Sequence, residues 1–144
     1  MPKALHTDGA PQAIGPYSQA VEHGGLVFLS GQIGLDPATG TLVPGGTVAE
    51  AERVLQNLRA VLHAAGLGFE HLVRTTIYLV DLADFAAVNE VYGRSLRQPF
   101  PARCELASAA RPSPPTSAHL CALWGLCVER SSPPARVACP DAAC

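Results

Sequence analysis

The sequence predicts an α+β fold in a single domain, a mixed β-sheet with two helices laid on one face. Three observations predict it. The chain has 144 residues, the size of one domain at the usual ~100–150 residues. Two segments repeat apolar residues at helical three-and-four spacing. The segments around them are rich in β-branched residues or alternate, giving the order β-β-α-β-α-β.

Tyr17 to Glu22 and Leu26 to Ile33 read as strands, joined through His23, Gly24 and Gly25 as a hairpin. Asp36-Pro37-Ala38-Thr39-Gly40 then supplies a turn, with Pro presetting φ and Gly free to take a positive one. Thr47-Val48-Ala49-Glu50 has capping-box spacing, which predicts a helix starting at Thr47. Its inward stripe is Ala51, Val54, Leu55, Leu58, Val61, Leu62 and Ala65, and Gly66 and Gly68 stop it. Leu72 to Val80 alternates as a strand. Asp81 or Asp84 can cap a second helix with Phe85, Val88, Val91, Tyr92 and Leu96 facing inward, Arg94 and Arg97 near its C-terminal dipole, and Pro99 ending it. A last strand is expected from Ala102 to Leu106.

Composition divides the chain. Twelve of 13 Gly precede residue 104, whereas all five Cys fall in the last 41 residues, among repeated prolines. Residues 1–103 therefore form the expected body, and 104–144 a divergent Pro- and Cys-rich segment that could complete the sheet in part.

Composition also excludes function classes. A net charge of −2 with no basic cluster disfavours nucleic-acid binding. The longest apolar run, Ala118 to Val128, falls far short of the ~20 residues that cross a bilayer. The N-terminus lacks the apolar stretch of a secretory signal, so a cytoplasmic protein is expected. Cys121 to Cys127 and Cys139 to Cys144 lack zinc-ligand spacing, and free thiols and no metal are expected. A phosphate loop, a His-Glu metal helix and a Gly-x-Ser-x-Gly elbow are all missing.

A few residues could carry chemistry, each with a structural alternative. Arg103, fixed by Phe100-Pro101-Ala102, could clasp a carboxylate bidentately or form an ordinary salt bridge. Asn89 could donate to a ligand or be merely solvated. Ser30-Gly31-Gln32 could permit close approach of a ligand or neighbouring subunit, or form a bulge. Tyr17, after Gly15-Pro16, could reach a cleft or serve packing.

Taken in order, these segments resemble one family. Gly15-Pro16-Tyr17-Ser18-Gln19-Ala20, Ser30-Gly31-Gln32-Ile33 with Asp36-Pro37, Thr75-Thr76, Asp84-Phe85 with Val88-Asn89-Glu90-Val91-Tyr92, and Phe100-Pro101-Ala102-Arg103 are similar to the Rid/YjgF family, also catalogued as the endoribonuclease L-PSP family. The resemblance spans about residues 10 to 103. It implies a chorismate-mutase-like (YjgF-like) fold and a homotrimer with clefts between subunits. It further implies hydrolysis of reactive enamines and imines, such as 2-aminoacrylate, 2-iminopropanoate and 2-iminobutanoate, to 2-oxo acids and ammonia, without a cofactor. By this resemblance Arg103 holds the substrate carboxylate as the catalytic anchor, while Tyr17, Ser30 and Asn89 line the pocket.

The family's acid/base Glu lies on a Val-Glu-Ile-Glu-like strand soon after the Pro-Ala-Arg segment. Here the corresponding place reads Ser117-Ala118-His119-Leu120-Cys121-Ala122, so that strand is expected to be missing and turnover impaired. His119 and Glu129 are weak substitutes, neither ranked as catalytic. A non-catalytic member that binds carboxylate metabolites or protein partners through the same cleft is the alternative expectation. An endoribonuclease or translation inhibitor ranks lowest, because no basic patch is present.

Overall fold

A computed structural model describes residues 1–107 and 122–129. Six strands and two helices follow in the order β1 (Lys3–Leu5), β2 (Ala20–His23), β3 (Leu26–Leu29), α1 (Gly46–Ala64), β4 (Leu72–Leu79), α2 (Phe85–Ser95), β5 (Ala102–Ala107) and β6 (Ala122–Glu129). They form one mixed sheet in the order β1-β2-β3-β6-β4-β5. Among the described strands only β4 and β5 run parallel, because α2 carries the chain back across the sheet between them.

The β2–β3 hairpin turns on Gly24 and Gly25, at φ 61° and 79°, the paired positive values of a tight two-residue turn. Both strands are shorter than expected. The chain before Ala20 is engaged by side chains: the buried Gln19 amide donates to the carbonyls of Thr7, Ala10 and Pro11 at 3.0, 3.3 and 2.9 Å, and its oxygen accepts from the Thr7 N–H at 2.7 Å. The edge strand β1 carries no turn signal and is not anticipated by the sequence pattern.

Helix α1 buries the expected stripe, with Val54, Leu58, Val61 and Leu62 at most 1% exposed. Its start differs from expectation. Gly45, with φ 115°, is the N-cap and offers no side chain, so Thr47 lies inside the first turn. The Thr47 hydroxyl instead donates to Asp84 Oδ2 at 2.6 Å, linking α1 to the head of α2. The helix ends as predicted at Gly66, where the Gly66 and Leu67 amides donate to His63 and Leu62 carbonyls, both at 2.9 Å.

In α2, Val88, Val91, Tyr92 and Leu96 are buried, whereas Phe85 is 37% exposed because it heads the helix at the sheet margin. Asp81 caps the short 3-10 turn Leu82–Asp84 through the Ala83 amide at 2.8 Å; Asp84 makes no side-chain cap. One sheet face lies under both helices, built on Val27, Leu29, Thr75, Ile77 and Leu79. The chain also exposes Phe28, Val73 and Leu106, at 47%, 47% and 44%.

A last strand is present, without the Val-Glu-Ile-Glu-like pattern. Strand β6 lies between β3 and β4 at the centre of the sheet, at Ala122–Glu129 rather than within Ser117–Ala122. The division drawn after residue 103 falls inside β5. His119 lies outside the described residues.

Candidate functional site around Arg103

Strand β5 pairs with β4 so that Arg103 stands opposite Thr75 and Glu105 opposite Ile77. Thr75 and Ile77 are each 1% exposed beneath the helices, so Arg103 and Glu105, two residues apart, share that face. Helix α2 meets them there. Arg103 Nη1 donates to Asn89 Oδ1 at 2.8 Å, and Arg103 Nε lies 2.8 Å from Glu105 Oε1. The guanidinium carbon sits 5.0 Å from the Tyr92 ring centroid and 5.9 Å from that of Phe85, within reach of cation–π attraction.

The arrangement pins the cation without consuming it. A guanidinium has five N–H donors, and two are engaged here. Glu105 takes Nε and Asn89 takes one Nη1 proton, so among the described residues three donors, two of them on Nη2, are left to meet an acceptor such as a carboxylate. About a quarter of the Arg103 side chain, 26%, is open to solvent.

Tyr92 holds the floor of this site. Its hydroxyl pairs with Thr75 Oγ1 at 2.9 Å. Burial raises its phenol above the usual value near 10, outweighing the opposing hydrogen bond from Thr75 and the charge of Arg103. Tyr92 therefore stays a neutral packing group at ordinary pH.

Tyr17 and Ser30 line a separate cleft of ≈ 700 Å³, with Ile14, Gln32 and Ile33 among its walls. Tyr17 is half exposed, at 51%. The Ser30 hydroxyl donates to the Ser18 carbonyl at 2.5 Å and the Ser30 amide to Gln19 at 3.0 Å, so Ser30 shapes this wall by fastening it. The far side is fixed by Asn57, whose amide donates to the Ile33 and Leu35 carbonyls at 3.3 and 2.9 Å. Between them Gly34 lies so close to α1 that a Cβ would come within 2.9 Å of Glu50 Cα.

Within one chain, the four expected site residues thus form two groups. Arg103 and Asn89 meet at β5 and α2. Tyr17 and Ser30 flank β2 and β3, with β6 and β4 intervening in the sheet. Glu105, Tyr92 and Phe85 were not expected at the site. The two-residue spacing of Glu105 from Arg103 on a strand was the available signal. Among the described residues no group of His, Cys, Asp or Glu could hold a metal ion, and no helix is long and apolar enough to cross a membrane.

The family described as Endoribonuclease L-PSP matches residues 7–116. The chain belongs to this family, the Rid/YjgF family. Protein DfrA of Myxococcus xanthus is 60% identical over 112 residues, covering 76% of this chain and 86% of that protein. The mouse 2-iminobutanoate/2-iminopropanoate deaminase is 49% identical over 110 residues, covering 76% and 82%. Among solved Rid-family structures, RidA from an Antarctic Psychrobacter has a TM-score of 0.79 at 38% identity, covering 88% of this chain and 98% of that one. TdcF of E. coli, solved with bound serine, has a TM-score of 0.78 at 34% identity, covering 90% and 99%. The YjgF-like α+β fold follows from these neighbours.

Proposed function

We propose that this Rid-family chain hydrolyses short 2-imino acids, 2-iminopropanoate and 2-iminobutanoate, to 2-oxo acids and ammonia. The observation that carries the reading is the Arg103 guanidinium, steadied by Asn89 on Nη1 and Glu105 on Nε, with its Nη2 donors unengaged among the described residues. Relatives named for this deaminase activity support it, at 46% to 49% identity. The serine bound to TdcF, itself an α-carboxylate, is a ligand of the same class.

The chemistry asks little beyond orientation. Arg103 clasps the carboxylate and fixes the adjacent iminium carbon. Water attacks that carbon: a C–O bond forms as the C=N π bond opens onto nitrogen and a water proton passes to solvent. Protonation of the nitrogen, cleavage of the C–N bond and loss of the hydroxyl proton then release ammonia and leave the 2-oxo acid.

The proposed site lies between copies of a homotrimer, where the Tyr17–Ser30 cleft of one copy faces Arg103 of another. Exposed Phe28, Val73 and Leu106 are suited to burial in such an assembly. Mixing refolded Arg103→Ala and Tyr17→Ala chains tests it. Partial recovery of ammonia release in the mixture supports shared sites, and no recovery opposes them. Light scattering reads the mass directly.

A second reading, carboxylate binding without turnover, is favoured by the sequence of β6, Ala122–Glu129, whose sole carboxylate is the terminal Glu129. Ammonia released from 2-aminoacrylate generated in situ separates the two. Release above the buffer rate supports the deaminase, and buffer-rate release with Arg103-dependent binding of 2-oxobutanoate supports the binder.

A further inference from the structure

We infer that Glu105 restricts the Arg103 site to ligands carrying a single negative charge. The inference rests on the reading of Arg103 as a carboxylate anchor and names the substrate class that anchor accepts. Glu105 Oε1 lies 2.8 Å from Arg103 Nε, with 23% and 26% of the two side chains open to solvent. The pair is therefore close to neutral as a unit. Asn89, the other hydrogen-bonded partner of the guanidinium, brings no charge. Phe85 and Tyr92, the rings beside it, bring none as neutral groups.

A ligand monoanion gains directed hydrogen bonds from the remaining donors of Arg103, chiefly those on Nη2, which offset its repulsion by one nearby carboxylate. A second carboxylate on the ligand finds no further described cation in this cluster and is repelled by Glu105 again. The site therefore favours 2-imino and 2-oxo monocarboxylates over dicarboxylates of the same length. Glu105 is a specificity-determining and positioning group in this account; it takes no part in bond making.

Glu105→Gln isolates the charge, because the amide oxygen can still accept from Arg103 Nε. Calorimetric titration of the full chain with 2-oxopentanoate and with 2-oxoglutarate compares ligands of one chain length that differ in a carboxylate. The wild type should bind 2-oxopentanoate more tightly. Glu105→Gln should shrink that preference by about 5- to 10-fold, chiefly through a gain for 2-oxoglutarate, as expected for one partly screened charge at close range. Glu105→Ala should shrink it similarly while weakening both ligands, since the Nε acceptor is lost as well. Glu90→Gln, the same charge change at an exposed position of α2, should leave the preference at its wild-type value. An unchanged preference in Glu105→Gln and Glu105→Ala, or an equal shift in Glu90→Gln, overturns the inference while leaving the anchor intact. Binding of 2-oxopentanoate that is equal in wild type and Arg103→Ala instead overturns the anchor itself.

Discussion

Asn89 Oδ1 accepts a 2.8 Å hydrogen bond from Arg103 Nη1, tying the middle of α2 to the edge strand β5. The bond fixes the direction in which the cation presents its remaining donors. Asn89→Ala should weaken 2-oxobutanoate binding by about 3- to 10-fold, the worth of one hydrogen bond to a charged group that solvent partly replaces. The same variant should change unfolding free energy by less than ~1 kcal/mol, because the pair is solvent-accessible. Calorimetry and urea unfolding check the two halves.

Tyr92 makes stability fall at high pH. Its phenol is held above its unfolded value near 10 by burial, so the native state keeps a proton that the unfolded state releases. Stability from this group is fully present below about pH 10 and is lost as pH rises through the raised native value. Tyr92→Phe should flatten the loss that sets in above about pH 10 in urea midpoints. It should also lower stability at neutral pH by ~1–3 kcal/mol, since Thr75 Oγ1 loses its buried partner.

Thr47→Val should destabilise the fold by about 1 kcal/mol, through loss of the 2.6 Å bond to Asp84 between the two helices. A cap role would instead let Thr47→Asp substitute well. In that variant the new carboxylate would face the carboxylate of Asp84, and thermal unfolding should rank Thr47→Asp below Thr47→Val.

The helices and their inward stripes were legible because periodicity reports burial directly, as Val54, Leu58 and Val61 show. The hairpin and the stop at Gly66 were legible because few residues tolerate positive φ. The role of Thr47 was not, because capping-box spacing is local, while its hydroxyl finds a partner 37 residues away. Strand β1 escapes notice because Lys3–Leu5 is three residues long, too short to show a period. Strand β6 escapes because Ala122–Glu129 lacks the acidic pattern sought, whereas its pairing with β3 and β4 is made by backbone groups that any sequence offers. At the site, Arg103 and Asn89 were legible by resemblance, and their contact came only from the fold.

Gln19→Leu should cost about 2–4 kcal/mol, because a buried amide that meets four backbone groups of Thr7, Ala10 and Pro11 leaves them unpaired. The loss should appear as a lowered thermal midpoint and as faster proteolysis of residues 7–19.

Ammonia release from 2-aminoacrylate generated in situ, compared between wild type and Arg103→Ala at equal folded concentration, tests the central claim most directly. Release above the buffer rate in the wild type that drops to the buffer rate in Arg103→Ala is the predicted result. Equal release by both chains would contradict the assignment of Arg103 as the carboxylate anchor.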